Sequence, residues 1–233
     1  MVATMFPGGA ATRCNDPAFA GLQARFTFQG ACGQASIARV RSFAVNGPSL
    51  KTSGLDFLAS YDFGEVFMGT EAVISLQATH TLDYKIDDFS VGGVVVQPGF
   101  NAVGLLNYQL SATSLPEWKG SVSLDLSRDN HNLRFTLNYI DSYHDQRADI
   151  PNAGILAPNP QTGVSSSRGS TIKSTVLAEI DYRVELAWDT TVTASIDNLF
   201  DRDPSFARLD LNYDPFTGNA LGRTFKVAVK KRF

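Results

Sequence analysis

The chain has 233 residues, 43% of them hydrophobic and 18% charged, with 20 Lys and Arg against 23 Asp and Glu. So little charge argues against a disordered, highly solvated chain, and a net charge of −3 leaves no basic footprint for nucleic acid. No run approaches the roughly 18 consecutive apolar residues of a spanning helix. A helical membrane protein is excluded on that ground. A membrane β-barrel stays open, because alternating strands average to a neutral mean hydropathy such as the −0.08 found here.

At the N-terminus, residues 1–11 carry no Lys or Arg and are broken by Pro7-Gly8-Gly9, which does not read as a secretory leader. Cys14 and Cys32 stand in a stretch rich in Gly, Asn and Pro. They read as a disulfide pinning a loop in an oxidising compartment, with two unpaired thiols as the alternative. Residues 22–29 and 36–46 suggest a hairpin braced by that bond. The organisation expected is a loop and hairpin region over 1–49 and a strand region over 50–233.

From residue 50 onward the hydrophobic period is 2. Alternating strands are expected at 55–63, 72–79, 121–127, 133–139, 171–188, 191–197 and 224–233, about eight strands in all. The segment 171–188 is the clearest: Ile172, Val176, Ala178, Ile180, Tyr182, Val184, Leu186 and Trp188 share one face, opposite Lys173, Glu179, Asp181, Arg183 and Glu185. Short turns are expected at 63–65, 128–132 and 187–190, and long irregular links at 85–116, 144–170 and 199–221. Alternately short and long connections make neighbours antiparallel, with every long loop at one end. Tyr61, Tyr139, Tyr143, Tyr182 and Trp188 fall near strand ends, where amphipathic rings suit a membrane boundary, although strands are rich in aromatics anyway.

Catalytic signals are missing from this pattern. His80, His131 and His144 are scattered, no HExxH, CxxC or GxSxG motif occurs, and Asp87, Asp88, Asp201 and Asp203 lack calcium-loop spacing. They read as solvated loop acids. No enzyme, cofactor or metal is expected.

Two motifs near the C-terminus carry a family resemblance. Residues 197–202 read DNLFDR, and 222–233 read GRTFKVAVKKRF. The pair, centred on Asn198, Leu199, Phe200, Asp201, Gly222, Arg223, Phe225, Val227, Val229 and Phe233, resembles the C-terminus of TonB-dependent outer-membrane receptors. Residues 50–56 (LKTSGLD) and 115–119 (LPEWK) are similar to strands of the same barrels. The resemblance implies an all-β, antiparallel transmembrane barrel of 22 strands, of which about 8 are here, with short periplasmic turns and long extracellular loops. It implies a bacterial outer-membrane location and active uptake of a scarce nutrient: siderophore-bound iron, cobalamin or an oligosaccharide. The partners implied are outer-membrane lipid, TonB through an N-terminal plug that this chain lacks, and the barrel-assembly machinery through the C-terminal strand. Glu179, Asp181, Arg183 and Glu185 would face the lumen. Tyr143, His144, Arg147, Arg168, Phe206, Arg208 and Tyr213 are the candidates for a small-molecule ligand at the outer loops. A self-contained eight-stranded barrel serving as adhesin or anchor, and a soluble β-sandwich binding module, are the competing expectations.

Overall fold

The computed structural model describes residues 1–42, 44, 46–108, 112–146 and 169–232. The strands, in chain order, are β1 (Phe26–Phe28), β2 (Ile37–Val40), β3 (Leu50–Phe67), β4 (Thr70–Ile86), β5 (Phe89–Val91), β6 (Val94–Gln97) and β7 (Phe100–Asn101). They continue with β8 (Trp118–Arg128), β9 (His131–Ile140), β10 (Tyr143–His144), β11 (Thr171–Ile172), β12 (Thr175–Leu186), β13 (Thr190–Asp197) and β14 (Thr224–Lys231). Residues 1–52 with 83–101 form one compact unit, and residues 53–82 with 102–233 form another.

The first unit has a small core of Met5, Phe6, Leu22, Phe26, Val91 and Val94. Phe6 meets the rings of Phe26 and Phe28 edge-on at 5.8 and 6.1 Å between centroids, the geometry aromatic quadrupoles favour. Cys14 and Cys32 are disulfide-bonded and pack against this core. Gly21 is required by close approach: a Cβ there would lie 2.2 Å from the Gly92 carbonyl oxygen. The hairpin is shorter than 22–29 with 36–46. It pairs Phe26–Phe28 with Ile37–Val40, because Leu22 turns inward on a one-turn helix, α2 (Ala20–Gln23), and is fully buried.

The second unit is dominated by one antiparallel meander in the order β14-β13-β12-β9-β8-β4-β3. It is an all-β architecture, and among the described residues the sheet is open, with β3 and β14 at its edges. β3 and β4 meet in a two-residue turn, Met68–Gly69, with φ of +48° and +77°. Two positive φ values in succession give the type I′ geometry whose twist matches paired strands. Trp188 and Asp189, at +59° and +51°, bend β12 into β13 in the same left-handed region.

Two boundaries differ from the alternation. The turn expected at 63–65 is absent, and β3 runs through it to Phe67. Gly64 absorbs a φ of +65° inside the strand while its N–H donates to Asp62 at 2.7 Å, so the glycine makes an irregularity in the strand rather than ending it. The expected 171–188 strand is divided at Lys173 and Ser174. Thr171 and Ile172 pair with β10 instead, and pairing to β9 begins only at Thr175. The break falls where Ser174 is the one polar residue on the otherwise apolar row of this segment. The 85–116 link also carries a short hairpin, β5 with β6, where no regular structure is expected.

Register carries the two-faced pattern right across the sheet. One row reads Ile74, Leu124, Phe135, Ile180, Ile196 and Phe225, and the next reads Ala72, Leu126, Leu133, Tyr182, Ala194 and Val227. The opposite face has Asp125, Arg134, Asp181, Ser195 and Lys226 side by side, and beside them Ser75, Ser123, Thr136 and Glu179. The apolar face is uncovered. Phe135 is 39% exposed, Leu137 50%, Phe225 71% and Val227 74%. The buried cluster of this unit lies away from the sheet face, where Leu106, Tyr143, Ile172 and Ala207 come together.

Candidate functional site

Three groups of residues hold polar chemistry in the second unit, and each is built differently. The first is the polar face of the sheet. Arg134 Nε lies 2.6 Å from Asp125 Oδ1 directly across the β8–β9 register. Lys226 pairs with Asp197, and Arg183 with Glu185. Ser195 Oγ donates to Asp181 at 2.5 Å, and Thr79 to Asp56 at 2.7 Å. Glu179, Asp181, Arg183 and Glu185 thus share the polar face, where Asp181 lies in register with Arg134 of β9 and Arg183 pairs with Glu185 along β12 itself. The cross-strand pairs Arg134–Asp125 and Lys226–Asp197 help to hold register.

The second group ties the long segment between β13 and β14 to the sheet, and it explains the two C-terminal motifs physically. Asn198, with φ of +51°, closes a turn on itself. Its Nδ2 donates to the Arg202 carbonyl at 2.9 Å, and its Oδ1 accepts from the Arg202 N–H at 2.9 Å. The Leu199 N–H donates to the Ala178 carbonyl, and the Arg202 guanidinium to that of Val176, anchoring the turn on β12. At the other end, Asp201 Oδ1 accepts from the Arg223 N–H at 2.8 Å. Gly222 has φ of +67°, and a Cβ on it would sit 2.7 Å from that same carboxylate oxygen. Only glycine satisfies both conditions without strain. Asp201 is exposed, as expected of a loop acid, and also clasps the two ends of the segment. Phe200, Phe225, Val227 and Val229 are exposed. Phe233 lies outside the described residues.

The third group was not evident from the sequence. Asp214 is 2% exposed. Its Oδ2 accepts from the Tyr143 phenol at 2.5 Å, from the Ser114 hydroxyl and, at 3.3 Å, from Thr217, while Oδ1 accepts from the Phe216 N–H at 3.0 Å. One carboxylate thereby joins three separate loop segments. Burial and the bond to Asp214 push the Tyr143 phenol above its ordinary value. Asn107, 1% exposed, supports the same region through Nδ2, which donates to the carbonyls of Ala102 and Thr113 at 2.8 Å. Its backbone φ is +51°, and Thr113 has +52°, a demanding value for a β-branched residue.

Of the residues expected at the loops, Tyr143 is 4% exposed and braces the structure from inside. His144 pairs through its backbone, its N–H donating to Gly104 and its carbonyl accepting from Leu106. Phe206 and Tyr213 form a bridge around the segment that holds Arg208. Arg147 and Arg168 lie outside the described residues. Asp214, Ser114 and Asn107 were missed. Asp214-Pro215 offers only a turn signal, and Asn107 offers none. Among the described residues no three His, Cys, Asp or Glu gather where a metal ion would sit, and no helix is long and apolar enough to cross a membrane. No protein-family model and no curated protein matches the chain.

Proposed function

We propose that this chain is a C-terminal part of the transmembrane β-barrel of a TonB-dependent receptor in the bacterial outer membrane. In this reading the protein takes up a scarce nutrient actively, as siderophore-bound iron, cobalamin or an oligosaccharide. TonB would energise it through a plug elsewhere in the protein, the barrel-assembly machinery would read β14, and no catalysis is involved. The observation that carries the reading is the uncovered apolar face, which runs in register from β4 to β14. In water so large an apolar surface would be a severe liability; in lipid it is what a spanning sheet needs.

Dimensions and parity add support. β8 spans ten residue steps, about 33 Å at about 3.3 Å each. Tilted by about 40°, that is about 25 Å, the height of the apolar band of an outer-membrane barrel. Among the described residues the meander has seven long strands, so β3 and β14 run in the same direction and cannot pair antiparallel with each other. The two-residue β7, which pairs the far end of β4, is too short for an eighth stave. Bacterial barrels close with an even number of antiparallel strands. Completing this one takes an odd number of further strands, so these seven do not close a barrel by themselves. A soluble sandwich would need a second layer of its own over the apolar face, and the exposure of Leu137, Phe225 and Val227 argues against one.

Fractionation of cells that carry the native reading frame tests the reading. The protein is expected in the outer-membrane pellet after a urea wash, released only by detergent. Recovery as a monodisperse species in detergent-free buffer would contradict it.

A further inference from the structure

The apolar face of the sheet is built differently at its two ends. At the end of the short turns, Arg128 and His131 stand directly opposite each other in the β8–β9 register. They continue the apolar columns of Leu124 and Leu126 on β8 and of Leu133 and Phe135 on β9, and alternation keeps each column on one face. Both basic residues are exposed. The Tyr182 ring stacks on His131 at 5.9 Å between centroids, and its hydroxyl lies 2.6 Å from Nδ1. With the phenol donating there, the ring proton is on Nε2, a donor with no partner among the described residues. Asp129 is the acidic neighbour. Its carboxylate lies 3.8 Å from Arg128 Nε, and the side chains are 82% and 56% exposed, which makes a weak, water-screened pair. At the same end, Lys231 Nζ lies 6.0 Å from the centroid of the Trp188 ring. At the opposite end of the face His80 is stacked on Trp118 at 4.1 Å, Asp141 accepts from the Tyr139 hydroxyl at 2.9 Å, and the Arg202 guanidinium donates to the Val176 carbonyl.

We infer that the turn end of this face holds a phospholipid, with Arg128 and His131 Nε2–H on its phosphate and its acyl chains along Leu126, Leu133 and the apolar residues behind them. Two observations select the ligand together. A guanidinium fork beside a second N–H donor suits the two unesterified oxygens of a phosphodiester, and the exposed columns that run on from both residues give alkyl chains a surface. A free anion would use only the first feature and an uncharged lipid only the second. Basic side chains at the rim of an apolar band also reach the level at which lipid phosphates lie. Asp129 competes with the phosphate for the guanidinium, and its openness to water keeps that competition weak. The inference rests on the reading that the apolar face lies in lipid.

Three probes test it by native mass spectrometry of the native full-length protein in a maltoside detergent. Dioleoylphosphatidylglycerol has both phosphate and chains, dioleoylglycerol has the chains alone, and glycerol 3-phosphate has the phosphate alone. Dioleoylphosphatidylglycerol is expected to bind at least tenfold more tightly than either of the others. The double variant Arg128→Gln, His131→Gln should hold one fewer of these lipids at the same concentration, its site weakened at least tenfold, while Arg128→Lys loses less because it keeps the charge. Asp129→Asn should tighten the site at least twofold, a gain that misfolding does not produce. Equal binding of dioleoylglycerol, equal binding of glycerol 3-phosphate, or a lipid count and affinity unmoved by the double variant would overturn the site. Any of these results on a protein that fractionates with the outer membrane refutes the phosphate site alone. Recovery of the protein as a monodisperse species in detergent-free buffer refutes the membrane reading and the site with it.

Discussion

The long-stranded sheet and the loop cluster around Asp214 belong to the same unit and solve opposite problems. The sheet puts its apolar residues on one face and its charges in register on the other, and few of its described side chains are fully buried. The cluster buries a carboxylate, a phenol, a hydroxyl and an amide, and joins them by hydrogen bonds. Stability in the sheet comes from backbone ladders and from whatever covers its apolar face. In the cluster it comes from satisfied polar groups in a low-dielectric site, where one missing partner is costly. The difference teaches that exposure means different things in each: an exposed Phe225 marks a face that the chain leaves uncovered, whereas a buried Asp214 marks an internal brace.

That contrast can be broken at several points. The largest effect is expected from Asp214→Ala, which removes the acceptor shared by the hydroxyls of Tyr143, Ser114 and Thr217 and should cost about 3 kcal/mol locally. Hydrogen exchange of residues 102–108 and 204–218 should accelerate strongly while exchange of β8 and β9 stays slow. Uniform acceleration would mean that sheet and cluster are one cooperative unit. Next comes Ile180→Arg on the apolar face, expected to cost about 2–4 kcal/mol in a lipid-embedded barrel, with Asp181→Arg next to it far milder. Urea unfolding in lipid vesicles compares them, and equal costs would remove the distinction between the faces. Gly222→Ala follows, at about 1–2 kcal/mol, since its φ of +67° and the nearby Asp201 oxygen both oppose a Cβ. Protease resistance of the 199–223 segment reports it, and unchanged resistance would mean that the clasp does not hold the segment.

The smallest effect is a pH dependence confined to the cluster. The folded state holds the Tyr143 proton more tightly than an unfolded chain, in which tyrosine titrates near pH 10. The stabilisation is therefore complete below about pH 10 and is lost as pH rises beyond it. Exchange at residues 204–218 should accelerate above pH 10, and Tyr143→Phe should flatten that rise. A rise that persists in the phenylalanine variant would assign it to another group.

How much of this was legible in the sequence follows from the range of each interaction. The two faces of the sheet were legible, because period-2 alternation is local and survives in register from Ile74 to Phe225. Strand ends were less so. The Met68–Gly69 turn lacks the usual Asn-Gly or Asp-Gly chemistry, while Gly64, which looks like a turn, sits inside β3. The division at Lys173 and Ser174 left only one local trace, polar Ser174 on the apolar row, and the pairing of Thr171 and Ile172 with β10 defines it. Asn198, Asp201 and Gly222 were picked out as motif residues, but their roles as cap and clasp depend on contacts such as Asp201 to Arg223. The Asp214 cluster was illegible: Ser114 and Asp214 are 100 residues apart in the chain, and no local pattern announces their bond.

Both cysteines of the chain are held in the Cys14–Cys32 bond, so single cysteines placed along β12 can be spin-labelled in the reduced background of a Cys14→Ser, Cys32→Ser variant. The most direct measurement is the accessibility of labels at positions 178–186, in protein reconstituted in lipid, to oxygen and to a water-soluble nickel chelate. The account predicts a period of two: oxygen dominates at 178, 180, 182 and 184, and the nickel chelate at 179, 181, 183 and 185. Equal access of the nickel chelate to both sets would contradict it.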